Sequence, residues 1–222
     1  MRTTLAALLL AWSVAAVAAQ DTAPAKTPTP QETFQAVNTA LQQHDLKTLA
    51  KLAMPPHAVT LHSLAEPFAR ARQASDRLNK AAQDKLKFPY VHPFTASLTP
   101  FAERALELVE VAKDGTQLLG RIRYGPPGRA SEETVGIYAV DGIYRVDLPA
   151  EIARMTQKLS RPAIGDQPSP LDQEKTRLDK VARILDTLAE EIDKGQWTTK
   201  ETVTLRLLEL VDETKLTEGM GE

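Results

Sequence analysis

Residues 133–148 read ETVGIYAVDGIYRVDL, and their pattern decides the fold. Val135, Ile137 and Ala139 fall on one side of an alternating run, Asp141-Gly142 interrupts it, and Ile143 to Leu148 takes it up again. Alternation on both sides of a two-residue Asp-Gly step predicts a β-hairpin with a tight turn. The same grammar extends toward the N-terminus. Gln117 to Tyr124 sets Leu118, Ile122 and Tyr124 against Arg121 and Arg123, Asp114-Gly115 is a second tight turn, and Glu103 to Ala112 alternates again. Gly125-Pro126-Pro127-Gly128 makes a wider turn. Four short strands joined by hairpins predict an antiparallel meander with one apolar and one more polar face.

On the N-terminal side of the meander the chain reads as helix. All 10 glycines lie at or after Gly115, so the first half has few turn formers. Phe34, Val37 and Leu41 recur at helical steps. Asp45 is suited to capping a second, short helix with Leu46, Leu49 and Leu52, which Pro55-Pro56 should end. A longer helix is expected over roughly Leu64 to Lys87, with Phe68, Ala71, Leu78, Ala82 and Leu86 inward. Residues 88–101 hold Pro89, Pro93 and Pro100, which forbid a regular element. Their Phe88, Tyr90, Phe94 and Phe101 suggest that this segment packs back on the core.

Beyond the meander, Pro149 suits the first turn of a helix from Ala150 to Leu159. Residues 161–170 carry Pro162, Gly165, Pro168 and Pro170 and read as a linker. Leu171, Leu178, Val181, Leu185, Leu188 and Ile192 then form a narrow apolar stripe among charges. Gly195 closes that helix, Thr198 with Glu201 suggests a capping box, and Val203, Leu207, Leu210 and Val211 mark a last helix. Residues 171–213 therefore predict a helical hairpin, followed by a tail over 214–222. Its stripe could dock on the rest of the chain, the favoured reading, or on a second copy as a homodimer.

The opening residues, MRTTLAALLLAWSVAAVAA, combine Arg2, a short apolar run and Val17-Ala18-Ala19. Residues 1–19 predict a secretory signal peptide cut before Gln20, and hence a periplasmic or secreted product. The apolar stretch is shorter than the about 20 residues that cross a bilayer, and no later stretch is long enough, so no transmembrane segment is expected after cleavage. Residues 20–30, QDTAPAKTPTP, read as a flexible linker before the folded part at 31–160.

Composition narrows the function. The chain has 222 residues, 27 basic and 29 acidic, for a net charge of -2. That balance argues against nucleic-acid binding by bulk charge. There is no cysteine, so disulfides, thiolate metal sites and thiol nucleophiles are excluded. No glycine-rich phosphate loop, G-x-S-x-G elbow or H-E-x-x-H occurs. The basic stretch Arg70 to Lys87 carries six bases against two acids and reads as a solvated helix face, whereas residues 171–222 hold 13 acids and 8 bases.

Two stretches carry a family resemblance. The helical opening Phe34…Ala40-Leu41…Asp45…Leu49 is similar to the start of many NTF2-like (cystatin-like α+β) domains, and Glu133 to Leu148 resembles their closing hairpin, with Asp141-Gly142 followed by Ile143-Tyr144-Arg145-Val146-Asp147. The resemblance covers roughly residues 31–150. It implies an α+β fold in which N-terminal helices pack on a curved antiparallel β-meander, here with the C-terminal helical hairpin added. It also implies an exported bacterial protein of uncharacterised type: a noncatalytic binding or protein-interaction module of the envelope, taking a small molecule or an envelope protein. The alternative is a small-molecule isomerase or dehydratase using the cone of the fold.

An enzyme of that kind needs an inward acid or base facing an aromatic cavity. His92, Tyr124, Tyr138, Tyr144 and Asp147 are the candidate pocket residues, because seven of the 10 aromatic residues after position 19 lie between Phe88 and Tyr144. The same residues would equally fill a core. His57, His62 and His92 lack metal-ligand spacing and read as ordinary loop or surface histidines. No catalytic residue, metal or cofactor is assigned.

Overall fold

The computed structural model describes residues 27–94, 107–114, 117–124 and 131–216. The signal-peptide reading of 1–19, the Gly125–Gly128 turn, Phe101 and the end of the tail lie outside the described residues. The described residues form six α-helices and one four-stranded sheet, an α+β arrangement.

Helix α1, Pro30–Gln43, starts at Thr29, whose hydroxyl accepts from Glu32 N–H while the Glu32 carboxylate accepts from Thr29 N–H. This reciprocal capping box satisfies two end donors and begins the helix inside the segment read as a linker. His44 ends it in the left-handed region at φ 59°. Asp45 then caps α2, Leu46–Leu52, by accepting from Thr48 N–H at 3.0 Å. Hydrogen bonding to Thr48, through its side chain first and its N–H second, holds the Asp45 carboxyl below its ordinary pKa.

The long helix α3 spans Pro55–Ala81 and runs into a wider π-type turn at Ala82–Leu86. It begins nine residues before the sequence expectation. Pro55 and Pro56 do end α2, but they also occupy the first turn of α3, where proline loses no intrahelical bond. Pro67 sits inside the helix, where it has no N–H to give to the Ser63 carbonyl. Three rows of buried residues run the length of α3 at seven-residue intervals: His57, Leu64, Ala71, Leu78; Thr60, Pro67, Ala74, Ala81; and Leu61, Phe68, Ser75, Ala82. So wide a buried face needs cover from several neighbours. It is covered by α2, by α4 (Ala150–Leu159) and above all by α5 (Pro170–Asp193).

Helix α5 buries Leu178, Val181, Ile184, Leu185, Leu188 and Ile192, so the stripe read from the sequence gains Ile184, while its first member, Leu171, is only half-buried. It docks within the chain, on α3. Arg70 meets Asp179 at 2.7 Å and Arg77 meets Asp186 at 2.8 Å, so a step of seven residues forward on one helix is a step of seven forward on the other. The two helices are therefore parallel and in heptad register, the geometry of a short coiled coil. Parallel neighbours need a long return connection, and the whole sheet with α4 supplies it. Thr199, rather than Thr198, caps α6 (Lys200–Glu213), with Thr202 as its reciprocal partner. The stripe available for a homodimer is thus spent on α3, leaving Leu205 and Leu208 as exposed large apolar residues of α6.

Strands β1 (Glu107–Asp114), β2 (Gln117–Tyr124), β3 (Ser131–Val140) and β4 (Ile143–Val146) pair antiparallel in the order β1-β2-β3-β4. The β1–β2 register shifts between Leu108 and Val111, a bulge that simple alternation did not foresee. Asp141 and Gly142 both have positive φ, 52° and 75°, as the turn that matches strand twist requires. Val135, Ile137, Val146 and Leu148 form the buried face. The outer edge of β4 is closed by the chain itself: Met54 N–H donates to the Val146 carbonyl, and the Arg145 guanidinium donates to the carbonyls of Lys51 and Ala53 at the end of α2. A cation on those carbonyls also suits the helix dipole.

Candidate functional site

The hairpin turn divides the residues predicted for a pocket. Val140 pairs with Ile143, so Ala139 faces Tyr144 and Tyr138 faces Arg145. Successive residues of a strand point to opposite sides. Tyr144 accordingly lies on the side of Ile137 and packs against the core, whereas Tyr138 lies on the other side with Asp147. The Tyr138 hydroxyl donates to Asp147 Oδ2 at 3.2 Å, and the carboxylate charge raises the phenol pKa. The Tyr138 ring lies across Gly136, leaving no room for a Cβ there.

His92 is elsewhere. It is 2% exposed, against α3, and its Nε2 is 2.8 Å from Ser75 Oγ, with the Phe94 ring alongside. Burial, reinforced by the nearby Arg72 charge, lowers its pKa from 6.5 to about 4. The Tyr124 side chain lies outside the described residues. Of the five, the structure brings together Tyr138 and Asp147, on the face of the sheet opposite the buried one.

His57 and His44 are likewise committed. His57 is buried, with Nδ1 2.7 Å from Thr156 Oγ1. That hydroxyl already points to the carbonyls of Ile152 and Ala153, so the imidazole Nδ1–H is the donor. His44 stacks on Phe68. Burial first, and Arg72 second, lower its pKa. His62 is exposed. No group of three or more His, Cys, Asp or Glu among the described residues could hold a metal ion.

A different place gathers charge. Along one flank of the α3–α5 seam runs an open groove of about 470 Å³ lined by Arg70, Gln73, Arg77, Asp179, Ala182, Arg183 and Asp186. Residues 70, 73 and 77 repeat at helical steps on α3, as do 179, 182, 183 and 186 on α5, so each helix supplies one wall. Arg70 is shared between Asp179 and Glu66. Asp186 meets Arg77, yet its pKa is raised, because loss of solvent outweighs that cation and Glu190 adds repulsion. Arg183 is exposed and has no ion pair or hydrogen bond among the described residues. An arginine cannot serve as an acid or base near neutral pH, and its planar fork of N–H donors matches a carboxylate.

Reading along the sequence treated Arg70 and Arg77 as part of a solvated face and passed over Asp179, Arg183 and Asp186. The signal was the equal seven-residue spacing of Arg70/Arg77 and Asp179/Asp186, visible only once the two helices are set side by side.

No family model matches this chain, and no curated protein or solved structure does so either. No helix among the described residues is long and apolar enough to cross a membrane.

Proposed function

We propose that this chain is an exported, noncatalytic binding module of the bacterial envelope, built on an NTF2-like core of helices on a curved meander, with the α5–α6 hairpin as an added layer. The observation that carries this reading is the contrast between two sets of polar groups. The buried histidines are held in structural hydrogen bonds with Thr156 and Ser75. The solvent-facing groove, by comparison, is lined by guanidinium and carboxylate groups suited to holding a ligand. The Tyr138–Asp147 pair is the nearest thing to an acid–base couple, but it sits on the open side of the sheet. The amino-terminal pattern of residues 1–19 supports export.

Purified protein lacking residues 1–19 tests the proposal. Incubated with a small-molecule extract of the envelope, it is expected to melt at a higher temperature and to release its ligand chemically unchanged, as read by mass spectrometry. Recovery of a converted molecule at catalytic turnover would replace this reading with the isomerase or dehydratase one.

A further inference from the structure

The groove between α3 and α5 carries both signs of charge, and its unused capacity lies on one wall. Arg183 offers five N–H donors and has no partner among the described residues. Three residues on, Asp186 turns its buried Oδ1 toward Arg77 at 2.8 Å without an aligned hydrogen bond, and its side chain stays 33% exposed. Positions three apart on a helix are neighbours on one face, with Cβ atoms about 5–6 Å apart. A free guanidinium and an under-satisfied carboxylate thus stand side by side, facing Arg70, Gln73 and Arg77.

We infer that this groove binds a zwitterionic small molecule, its carboxylate held by Arg183 and its ammonium held by Asp186. A free amino acid and a short peptide share this chemistry. A polyanion fits less well, because Asp179 and Asp186 stand in the same wall and would repel it. A simple cation would meet three guanidinium groups. A ligand carrying both charges pairs with Arg183 and Asp186 while leaving the Arg70–Asp179 bridge intact. The volume lies within the range of small-molecule sites, about 300–1,000 Å³. Exposure of the groove to water predicts a weak, salt-sensitive affinity.

The inference rests on the binding-module reading, and its test is separate from the test of that reading. The probe is L-alanyl-L-alanine, titrated into isotope-labelled protein at low salt and followed by amide chemical shifts. N-acetylated and C-amidated forms are compared with it, along with free L-alanine. Shifts are expected at residues 70–77 and 179–186, and each blocked form should bind about tenfold more weakly, the loss of one charge-assisted contact. Arg183→Gln should weaken the dipeptide and erase the penalty of amidation alone. Asp186→Asn should do the same for acetylation alone. Arg161→Gln, in the exposed linker, should change neither. Equal binding by free alanine supports the amino acid as ligand, and tighter binding by the dipeptide supports the peptide. Identical affinities for blocked and unblocked probes, or shifts away from the groove, would overturn the inference. The binding-module reading would still stand on the identity of the molecule recovered from the extract.

Discussion

The Arg206 guanidinium grips the Glu191 carboxylate with two parallel hydrogen bonds, Nε to Oε2 and Nη2 to Oε1, both at 3.0 Å. Both side chains are largely shielded, at 18% and 16% exposure, and Trp197 Nε1–H donates to the same carboxylate at 2.8 Å. These bonds hold α6 against the end of α5. The carboxyl pKa is lowered chiefly by Arg206, so its contribution is present above the usual glutamate range and is lost as the pH falls through the folded value. Arg206→Met is expected to cost about 1–3 kcal/mol by urea denaturation, because it removes both guanidinium donors and leaves the shielded Glu191 carboxylate with Trp197 alone. The accompanying loss of the hairpin should appear as faster amide exchange in α6.

The seam between α3 and α5 should be governed by its apolar residues. Leu185 is fully buried, and Leu185→Ala should cost about 2–5 kcal/mol. Arg70 and Asp179 are 50% and 38% exposed, so exchanging either for its neutral amide analogue should cost no more than about 1 kcal/mol. Urea denaturation of both variants checks the order. A reversed order would mean that the ion pairs, rather than the leucines, hold the helices together.

Acid should weaken the fold through His92. Its folded pKa of about 4 lies below the ordinary 6.5, so as the pH drops the unfolded chain takes up the proton first. Stability attributable to this group is therefore intact above pH 6.5, falls between pH 6.5 and pH 4, and levels off below that. The full difference is about 3 kcal/mol, at roughly 1.4 kcal/mol for each pH unit. His92→Gln keeps a hydrogen-bonding group near Ser75 without a titrating ring. Denaturation midpoints for the two proteins should converge as the pH is lowered across this window, and parallel profiles would refute the assignment.

A methyl group at Gly136 would strike the Tyr138 ring. The ring is the flexible partner, so Gly136→Ala should swing it aside and break its bond to Asp147. The Tyr138 phenol pKa, raised by that carboxylate, should then fall toward the ordinary value in an ultraviolet titration. Adding Tyr138→Ala should make Gly136→Ala nearly neutral, a coupling that a double-mutant cycle reads directly.

The legible parts of the fold were those written in local periodicity. The leucine stripe from Leu178 to Ile192, the Asp45 cap and the Asp141-Gly142 turn each depend on residues a few places apart, and each stands in the structure where the pattern put it. The start of α3 was missed because Pro55-Pro56 ends one helix and begins the next. The separation of Tyr138 from Tyr144 was legible in principle. A two-residue turn pairs Val140 with Ile143, and counting outward sends the two tyrosines to opposite faces. The charged groove was hidden because its walls are 109 residues apart, and no local window contains both Arg70 and Asp179.

That separation also orders events in time. Because α5 runs alongside α3 in the same direction, the seam cannot form while the chain is short. A ribosome that has released α1 to α4 has delivered α3 with its broadest buried face still lacking α5. Closing so long a loop is costly and slow. From the completion of α3 at Ala81 until Asp193 has been added, the nascent chain therefore carries its main seam uncovered, and α5 acts as the latch. Until that latch arrives, the protein remains pliable enough to be threaded, held by a chaperone or degraded.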